Sequence, residues 1–350
     1  MSRRHGDRLP VALVGFGGSG AGIHLPLIAA HPRLSLDVIV ARSPEHVREA
    51  RSRCPDAHVT SDLTAAGDCA LVVVAVPPAY RAGTVGQLLG LGARVVVEKP
   101  MAANTDEAAI LSDSDRLTVF QNRRWDSDFL TLQRLWTEAT RPEPARLVSR
   151  LQWWQPTVRD GWRNRPEGGG ILLEVGSHLI DQAIVLLGPV TAVYAELDVR
   201  RRDAVAEDDV FLALRHGDGS RSHLSMGPVG NARLPRFEVT TADTRIVLGA
   251  ADPQQQQLAQ GMAPADDGWG IPDTSDWSIQ HGSEPPLAVR GERGRWQAFY
   301  DAVVNWAAAG GGPPVRAEEG IATMKVIDAA RRSMEESRLI ALGEGMRSDG

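Results

Sequence analysis

Val11-Ala12-Leu13-Val14-Gly15-Phe16-Gly17-Gly18-Ser19-Gly20 is the stretch on which the fold turns. A short apolar run leads into a glycine-rich turn. Gly15, Gly17 and Gly20 fit the spacing G-x-G-x-x-G between a strand and a helix. In that pattern the first glycine permits the tight turn and the second lets backbone approach a pyrophosphate. The third allows close helix–strand packing, and the helix N-terminus carries partial positive charge toward the phosphates. An ordinary glycine turn contains the same residues, so the pattern takes its weight from its surroundings.

Those surroundings repeat a strand–helix rhythm. The runs Val11–Val14, Leu36–Val40, Leu71–Val76, Arg94–Val97 and Leu117–Phe120 are apolar at successive positions. Strands buried on both faces of a parallel sheet have this composition. Helix-like segments between them make βαβ units and predict an α/β fold, a doubly wound Rossmann sheet. Glu98-Lys99-Pro100 follows the run Val95–Val97 directly. Ligands of open α/β sheets bind at the carboxyl ends of the strands. The turn and Lys99 are therefore expected at one edge of one sheet, where a lysine can hydrogen-bond a substrate hydroxyl and help move its proton. Glu98 and Pro100 flank Lys99, and a residue before proline is kept out of the helical region. A lysine snorkelling at the sheet edge is the plain alternative.

The second strand ends Val40-Ala41-Arg42-Ser43. A carboxylate there would select the ribose diol of NAD(H); an arginine and a hydroxyl suit a 2′-phosphate. NADP(H) is the expected cofactor, with NAD(H) second. Phe16 and Ser19 in the turn, and Val76 and Pro77 at the end of the third run, are expected along the nucleotide. The alternative for Arg42 is a solvated side chain at a helix start, where Pro44 and Glu45 look like first-turn residues.

A chain of 350 residues with 43% apolar and 23% charged residues suits two folded domains. All nine tryptophans lie from Trp125 onward. We therefore expect a dinucleotide-binding domain over 1–122 and a second domain over 123–350. A net charge of −6 with no long basic block argues against nucleic acid as partner. Cys54 and Cys69 are too few for a disulfide framework and read as reduced thiols. Arg3-Arg4 is a twin arginine without the apolar segment of an export signal, and no stretch approaches the roughly 20 apolar residues of a membrane span. A cytoplasmic protein, not membrane-bound, is the expectation.

The second domain reads as α+β. A helix is expected over Ser127–Thr137. Strands follow at Ala192–Arg200, Val210–His216, Arg221–Met226, Phe237–Thr241 and Thr244–Leu248, with turns at Gly217-Asp218-Gly219 and Ala242-Asp243. Strands in series with tight turns predict a large, mostly antiparallel open sheet. Gln254–Gln257 and Gly261–Pro286 read as a polar excursion. A helix through Trp296, Phe299, Tyr300, Val303 and Val304 stops near Gly310, and a last helix covers Glu318–Ser337.

Gly168-Gly169-Gly170 precedes an apolar helical stretch, Ile171–Gln182. Glu174, His178 and Asp181 stand at i, i+4 and i+7, one polar stripe on a helix expected to be buried. Histidine suits acid–base work near neutral pH, and a neighbouring carboxylate can orient it. A structural hydrogen-bond network is the plainer alternative. The spacing also suits two metal ligands, but no third or fourth is evident, so no metal is expected. Trp154, Trp162, Arg124 and Arg163 are candidates to line a pocket, since aromatic faces pack on sugar C–H surfaces; for any one tryptophan, core packing is the simpler reading.

With these residues assembled, the chain resembles the glucose–fructose oxidoreductase/inositol dehydrogenase (Gfo/Idh/MocA) family over about residues 9–337. The carriers are the turn at 15–20, Glu98-Lys99-Pro100, Gln121-Asn122-Arg123-Arg124-Trp125-Asp126, Gly169-Gly170 through His178 and Asp181, and Pro314–Gly320. The Asn-Arg-Arg-Trp-Asp stretch looks closest to the branch with NADP-dependent scyllo-inositol dehydrogenases. The resemblance implies hydride exchange between nicotinamide C4 and a ring CH–OH of a sugar or cyclitol, with Lys99 and His178 handling the proton, assisted by Glu174 and Asp181. It also implies the nicotinamide between the domains, Asn122 and Arg163 on the cofactor side, and a homodimer or homotetramer through the second-domain sheet. Two departures stand out. The family usually has aspartate where this chain has Glu174. It also tends to carry Thr-Pro-Asn-x-x-His where this chain has Val76-Pro77-Pro78-Ala79-Tyr80-Arg81, which offers Arg81 as a further phosphate partner. A non-catalytic NAD(P)-sensing regulator and a redox-neutral NAD-dependent glycosidase of the same fold are the competing readings.

Overall fold

The structure, a computed structural model, describes residues 8–112, 115–138, 144–158, 161–165, 168–230 and 234–343. The twin arginine lies outside them. The chain forms two compact units. One comprises Met1–Trp125, Pro253–Gly270 and Arg295–Ile321; the other comprises Asp126–Asp252, Ile271–Gly294 and Ala322–Gly350.

The first unit holds a six-stranded sheet of β1 (Leu9–Val14), β2 (Leu34–Val40), β3 (His58–Thr60), β4 (Leu71–Val74), β5 (Val95–Glu98) and β6 (Leu117–Phe120). Its order is β3-β2-β1-β4-β5-β6, and the neighbouring strands pair in parallel. This is the doubly wound sheet expected. The sequence reading missed β3, a three-residue edge strand whose His58 is exposed. Leu71–Val74 and Val95–Val97 are fully buried, as two-faced burial of β-branched runs requires. Strand order reverses between β1 and β4, so the glycine turn after β1 faces the loop after β4 across the switch point where such sheets bind ligands. Helices α1 (Leu25–Ala30), α2 (Pro44–Arg53), α3 (Pro78–Gly90) and α4 (Thr105–Ala109) connect the strands.

The tryptophan boundary needs refinement. Trp125, Trp269, Trp296 and Trp306 all belong to the first unit. Within the polar run, Gln254 is a buried clamp, whereas Gln255 and Gln256 are exposed. Gln254 Nε2 donates to the Trp125 carbonyl at 3.1 Å, and its Oε1 accepts from Trp296 N at 2.8 Å. A fully buried amide with both ends paired carries little desolvation penalty.

The second unit begins with helix α5 (Ser127–Glu138), and its nine-stranded sheet comprises β7 (Arg146–Gln152), β8 (Val190–Asp198), β9 (Asp209–His216), β10 (Arg221–Gly227), β11 (Phe237–Thr240), β12 (Thr244–Leu248), β13 (Ser278–His281), β14 (Leu287–Ala288) and β15 (Ile340–Ala341). The order is β14-β13-β12-β11-β7-β10-β9-β8-β15. Pairing is antiparallel except between β7 and β10. The two turns read from sequence are hairpins, closed by His216 N to Ser220 O at 3.0 Å and Thr241 N to Thr244 O at 2.9 Å. Strand β7 was missed because Arg146, Arg150 and Gln152 dilute its apolar alternation. Helix α6 (Ser177–Leu187) belongs to this unit; α7 (Gln254–Ala259) and α8 (Gln297–Ala309) belong to the first, and α9 (Ala317–Glu336) follows. Among the described residues no helix is long and apolar enough to cross a membrane.

Candidate functional site

In the first unit the turn is built around two glycines that nothing larger could replace. Gly15 has φ +95°, and a Cβ on it would lie 2.6 Å from the Ala75 carbonyl oxygen. A Cβ on Gly20 would collide with the Gly15 carbonyl oxygen. Gly17 is different: its added Cβ would meet only His46 Cε1, at 3.8 Å, and Gly18 faces open space. The backbone at Gly17–Gly18 is thus uncovered by protein, as close approach of a pyrophosphate requires. The following helix opens with a π-helical turn, Gly20–His24. Phe16 is in the core at 1% exposure, so only its backbone is available to a nucleotide; Ser19 is half-buried at the N-cap position. Arg42 and Ser43 are exposed at the end of β2. Ser43 Oγ accepts from His46 N at 3.1 Å and caps α2, which leaves its hydroxyl proton for another acceptor.

At the neighbouring strand ends, Val76 and Pro77 are half-buried and Pro77 caps α3. Arg81 corrects the expectation of a phosphate partner. It is 4% exposed; its Nε donates to the Val76 carbonyl at 2.7 Å, and its Nη1 to the carbonyls of Glu98, at 3.3 Å, and Pro100. The guanidinium fork staples the β4 loop to the β5 loop from inside.

Lys99 is half-buried at the end of β5, and its peptide bond to Pro100 is cis. Its backbone N–H donates to Glu98 Oε2 at 2.9 Å. Glu98 Oε1 meets His24 Nε2 at 3.2 Å, and His24 Nδ1 meets the Tyr300 hydroxyl at 2.6 Å. Burial alone would push the Glu98 carboxyl up. The His24 hydrogen bond, with the charges of His24, Lys99 and Arg81, outweighs burial and holds it at about 2. Burial, then the Glu98 charge, push the Tyr300 phenol well above its ordinary value. Asn122 is buried in a 3-10 turn over Asn122–Trp125 that follows β6, and Arg124 is engaged by Glu319 at 2.6 Å.

The second unit holds the other predicted group. The helix after Gly170 starts as a π-helical turn, Leu172–Gly176, before α6. Its wider winding breaks the regular i, i+4, i+7 stripe. His178 and Asp181 are buried, whereas Glu174 turns outward to an ion pair with Arg163. Arg163 also lies over the Trp162 ring, 4.6 Å from its centroid. Trp154 is 61% exposed.

Sequence reasoning missed His24 and Tyr300. It also missed a signal about Lys99: of 38 basic residues only Lys99 and Lys325 are lysines. Arginine cannot give up its proton near neutral pH, whereas lysine can. Lysine kept at the strand end of a chain that otherwise uses arginine points to a proton-transfer requirement.

Comparison with known proteins agrees with this geometry. Residues 9–116 match the oxidoreductase family model for an NAD-binding Rossmann fold, and residues 148–342 match that family's C-terminal alpha/beta domain. The scyllo-inositol 2-dehydrogenase (NADP(+)) IolW of Bacillus subtilis is 29% identical over 97% of this chain and 98% of its own length. The uncharacterized oxidoreductase YdgJ of Escherichia coli is 30% identical over 96% and 99%. The solved structure of the oxidoreductase YvaA from Bacillus subtilis superposes with a TM-score of 0.89 at 29% identity, covering 97% of this chain and all of that one. The chain belongs to the Gfo/Idh/MocA oxidoreductase family and is an NAD(P)-dependent dehydrogenase with a nucleotide-binding Rossmann unit.

Proposed function

We propose that this enzyme interconverts a ring CH–OH and ketone of a cyclitol or sugar with NADP(H), in the cytoplasm. The observation that carries the reading is Lys99, one of two lysines in the chain, held at the end of β5, at the same carboxyl edge of the sheet as the glycine turn after β1. Bound nicotinamide would supply C4 as hydride acceptor or donor. The backbone at Gly17–Gly18 holds the pyrophosphate, and Arg42 with the Ser43 hydroxyl holds the 2′-phosphate. Val76, Pro77 and Asn122 line the nucleotide. Lys99 in the first unit and His178, with Asp181, in the second are the two groups suited to exchange a proton with a substrate hydroxyl. Arg163 and Glu174 bind as a pair, with Trp162 and Trp154 offering apolar faces to the ring. Self-association as dimer or tetramer is assigned to the nine-stranded sheet; a monomeric mass in solution would contradict that assignment.

The cyclitol class draws on the name of IolW, whose NADP(+) dependence matches Arg42-Ser43 here. The test is nucleotide reduction at the nicotinamide absorbance, with scyllo-inositol and a panel of cyclitols and aldoses, each with NADP+ and NAD+. NADP-dependent turnover that is lost in Lys99→Ala supports the reading. No turnover with any polyol, or turnover unaffected by that change, overturns it.

A further inference from the structure

We infer that His24 is a positioning residue for Lys99, acting through Glu98 as one end of a buried Tyr300–His24–Glu98 relay. The inference rests on the reading of Lys99 as the proton-handling lysine. A carboxylate taken out of water loses several kcal/mol of solvation unless its oxygens are paired. Glu98 is 2% exposed and His24 fully buried, in a shell that includes Phe120, whose ring lies 4.4 Å from the imidazole, and Phe299. Apolar residues of similar volume would fill this space at no electrostatic cost. The charge is retained where it has a use, and the geometry shows one: the two carboxylate oxygens are divided, Oε1 to His24 and Oε2 to the Lys99 backbone.

Two proton arrangements fit these contacts: in neutral His24 the Tyr300 hydroxyl donates to Nδ1, and in charged His24 Nδ1–H donates to the Tyr300 oxygen; in both, His24 Nε2–H donates to Glu98 Oε1. That fixes the carboxylate plane, and the plane fixes the Lys99 N–H. The elements joined are the turn-helix that opens at Gly20, the end of β5 and helix α8. The groups facing Glu98 are His24 from the turn-helix, Arg81 from α3, Tyr300 from α8, and Lys99 beside it. The coupling between the Glu98 carboxylate and the Lys99 ammonium is mutual. A carboxylate held in place by His24 therefore favours the charged lysine, and the relay bears on both the orientation and the protonation of Lys99.

The lysine scarcity makes this measurable without substrate. Reductive methylation with isotope-labelled formaldehyde marks the chain's only lysines, Lys99 and Lys325, and Lys325 is exposed and serves as internal reference. Magnetic resonance then follows Lys99 through its titration in the full-length protein. In His24→Leu, Glu98 Oε1 loses its hydrogen-bond donor and the carboxylate is no longer held toward Lys99. The Lys99 midpoint is expected to fall by about one pH unit, tenfold in its ionisation constant. His24→Gln keeps an N–H donor toward Glu98 and should restore the wild-type midpoint to within about twofold. Tyr300→Phe removes only the hydroxyl and should shift Lys99 the same way by less; it decides the matter if His24→Leu does not fold. An unchanged midpoint in His24→Leu, an equal shift in His24→Gln, or no shift in Tyr300→Phe would overturn the relay. Because the titration needs neither cofactor nor polyol, a chain that turns over nothing but shows these shifts refutes the proposed function alone. An active enzyme without them refutes the relay alone.

Discussion

Arg163 and Glu174 form an ion pair within the second unit. Glu174 lies in the π-helical turn Leu172–Gly176, and its carboxylate accepts from Arg163 Nε. Arg163 is half exposed, so solvent screens the pair and it adds little to stability, about 1 kcal/mol at most. We predict that Glu174→Gln leaves the urea midpoint nearly unchanged; if the Trp162–Arg163 turn lines the substrate as proposed, loss of its anchor lowers kcat/KM about tenfold or more. A large stability loss with unchanged kcat/KM would mean the pair is structural only.

Gly17 and Gly20 separate binding from folding. Alanine at Gly17 meets only His46 Cε1 at 3.8 Å, an ordinary contact, whereas alanine at Gly20 collides with the Gly15 carbonyl. Gly17→Ala should therefore fold with a wild-type circular dichroism melt and bind NADPH at least about tenfold more weakly, since the methyl occupies the approach of the pyrophosphate. Gly20→Ala should be visibly destabilised. Equal nucleotide affinity in Gly17→Ala would remove the glycine turn from the site.

The β-strand runs of the first unit were legible because burial on both faces leaves an unmixed apolar signature, as at Val72–Val74 and Val95–Val97. The hairpins at Gly217–Gly219 and Ala242-Asp243 were legible because turns need particular residues. Strand β7 was not, since its arginines mask the alternation. Nor was the clamp at Gln254, whose meaning lies in two partners, Trp125 and Trp296, far away in sequence. The same holds for Arg81. A basic residue near a phosphate loop invites the ligand reading, and only three-dimensional placement shows the guanidinium spent on carbonyls of Val76, Glu98 and Pro100.

Arg81 should be among the costliest positions to change. Arg81→Met leaves those carbonyls without their donor, and a buried polar group stripped of its partner costs about 1–3 kcal/mol each. We expect a loss of about 3 kcal/mol or more in urea unfolding, with Arg81→Lys recovering only part, because a single ammonium cannot span the fork. A change below about 1 kcal/mol would contradict the staple.

Two buried groups give stability the same sign of pH dependence. Burial holds His216 below its ordinary value of 6.5, opposed by its hydrogen bond to the Gly188 carbonyl, so unfolding favours its protonation. That contribution is full above 6.5 and declines as pH falls below it. Glu98, at about 2 against an ordinary 4.5, adds stability that is present above 4.5 and lost as pH falls toward 2, roughly 3 kcal/mol in all. Urea midpoints should fall in two stages, first as pH drops below 6.5 and again below 4.5, and His216→Asn should flatten part of the first, to which His31 and His223, also held low by burial, contribute. A midpoint that rises on acidification would contradict both assignments.

An NADP(H)-specific nucleotide site is proposed at the glycine turn with Arg42 and Ser43. Its most direct measurement is a fluorescence titration of the wild-type chain and Arg42→Ala with NADPH and with NADH. We predict tighter binding of NADPH by about tenfold or more, and loss of most of that preference in Arg42→Ala with NADH affinity unchanged. Equal or tighter binding of NADH by the wild-type chain would contradict the assignment, and binding of neither nucleotide would contradict the account as a whole.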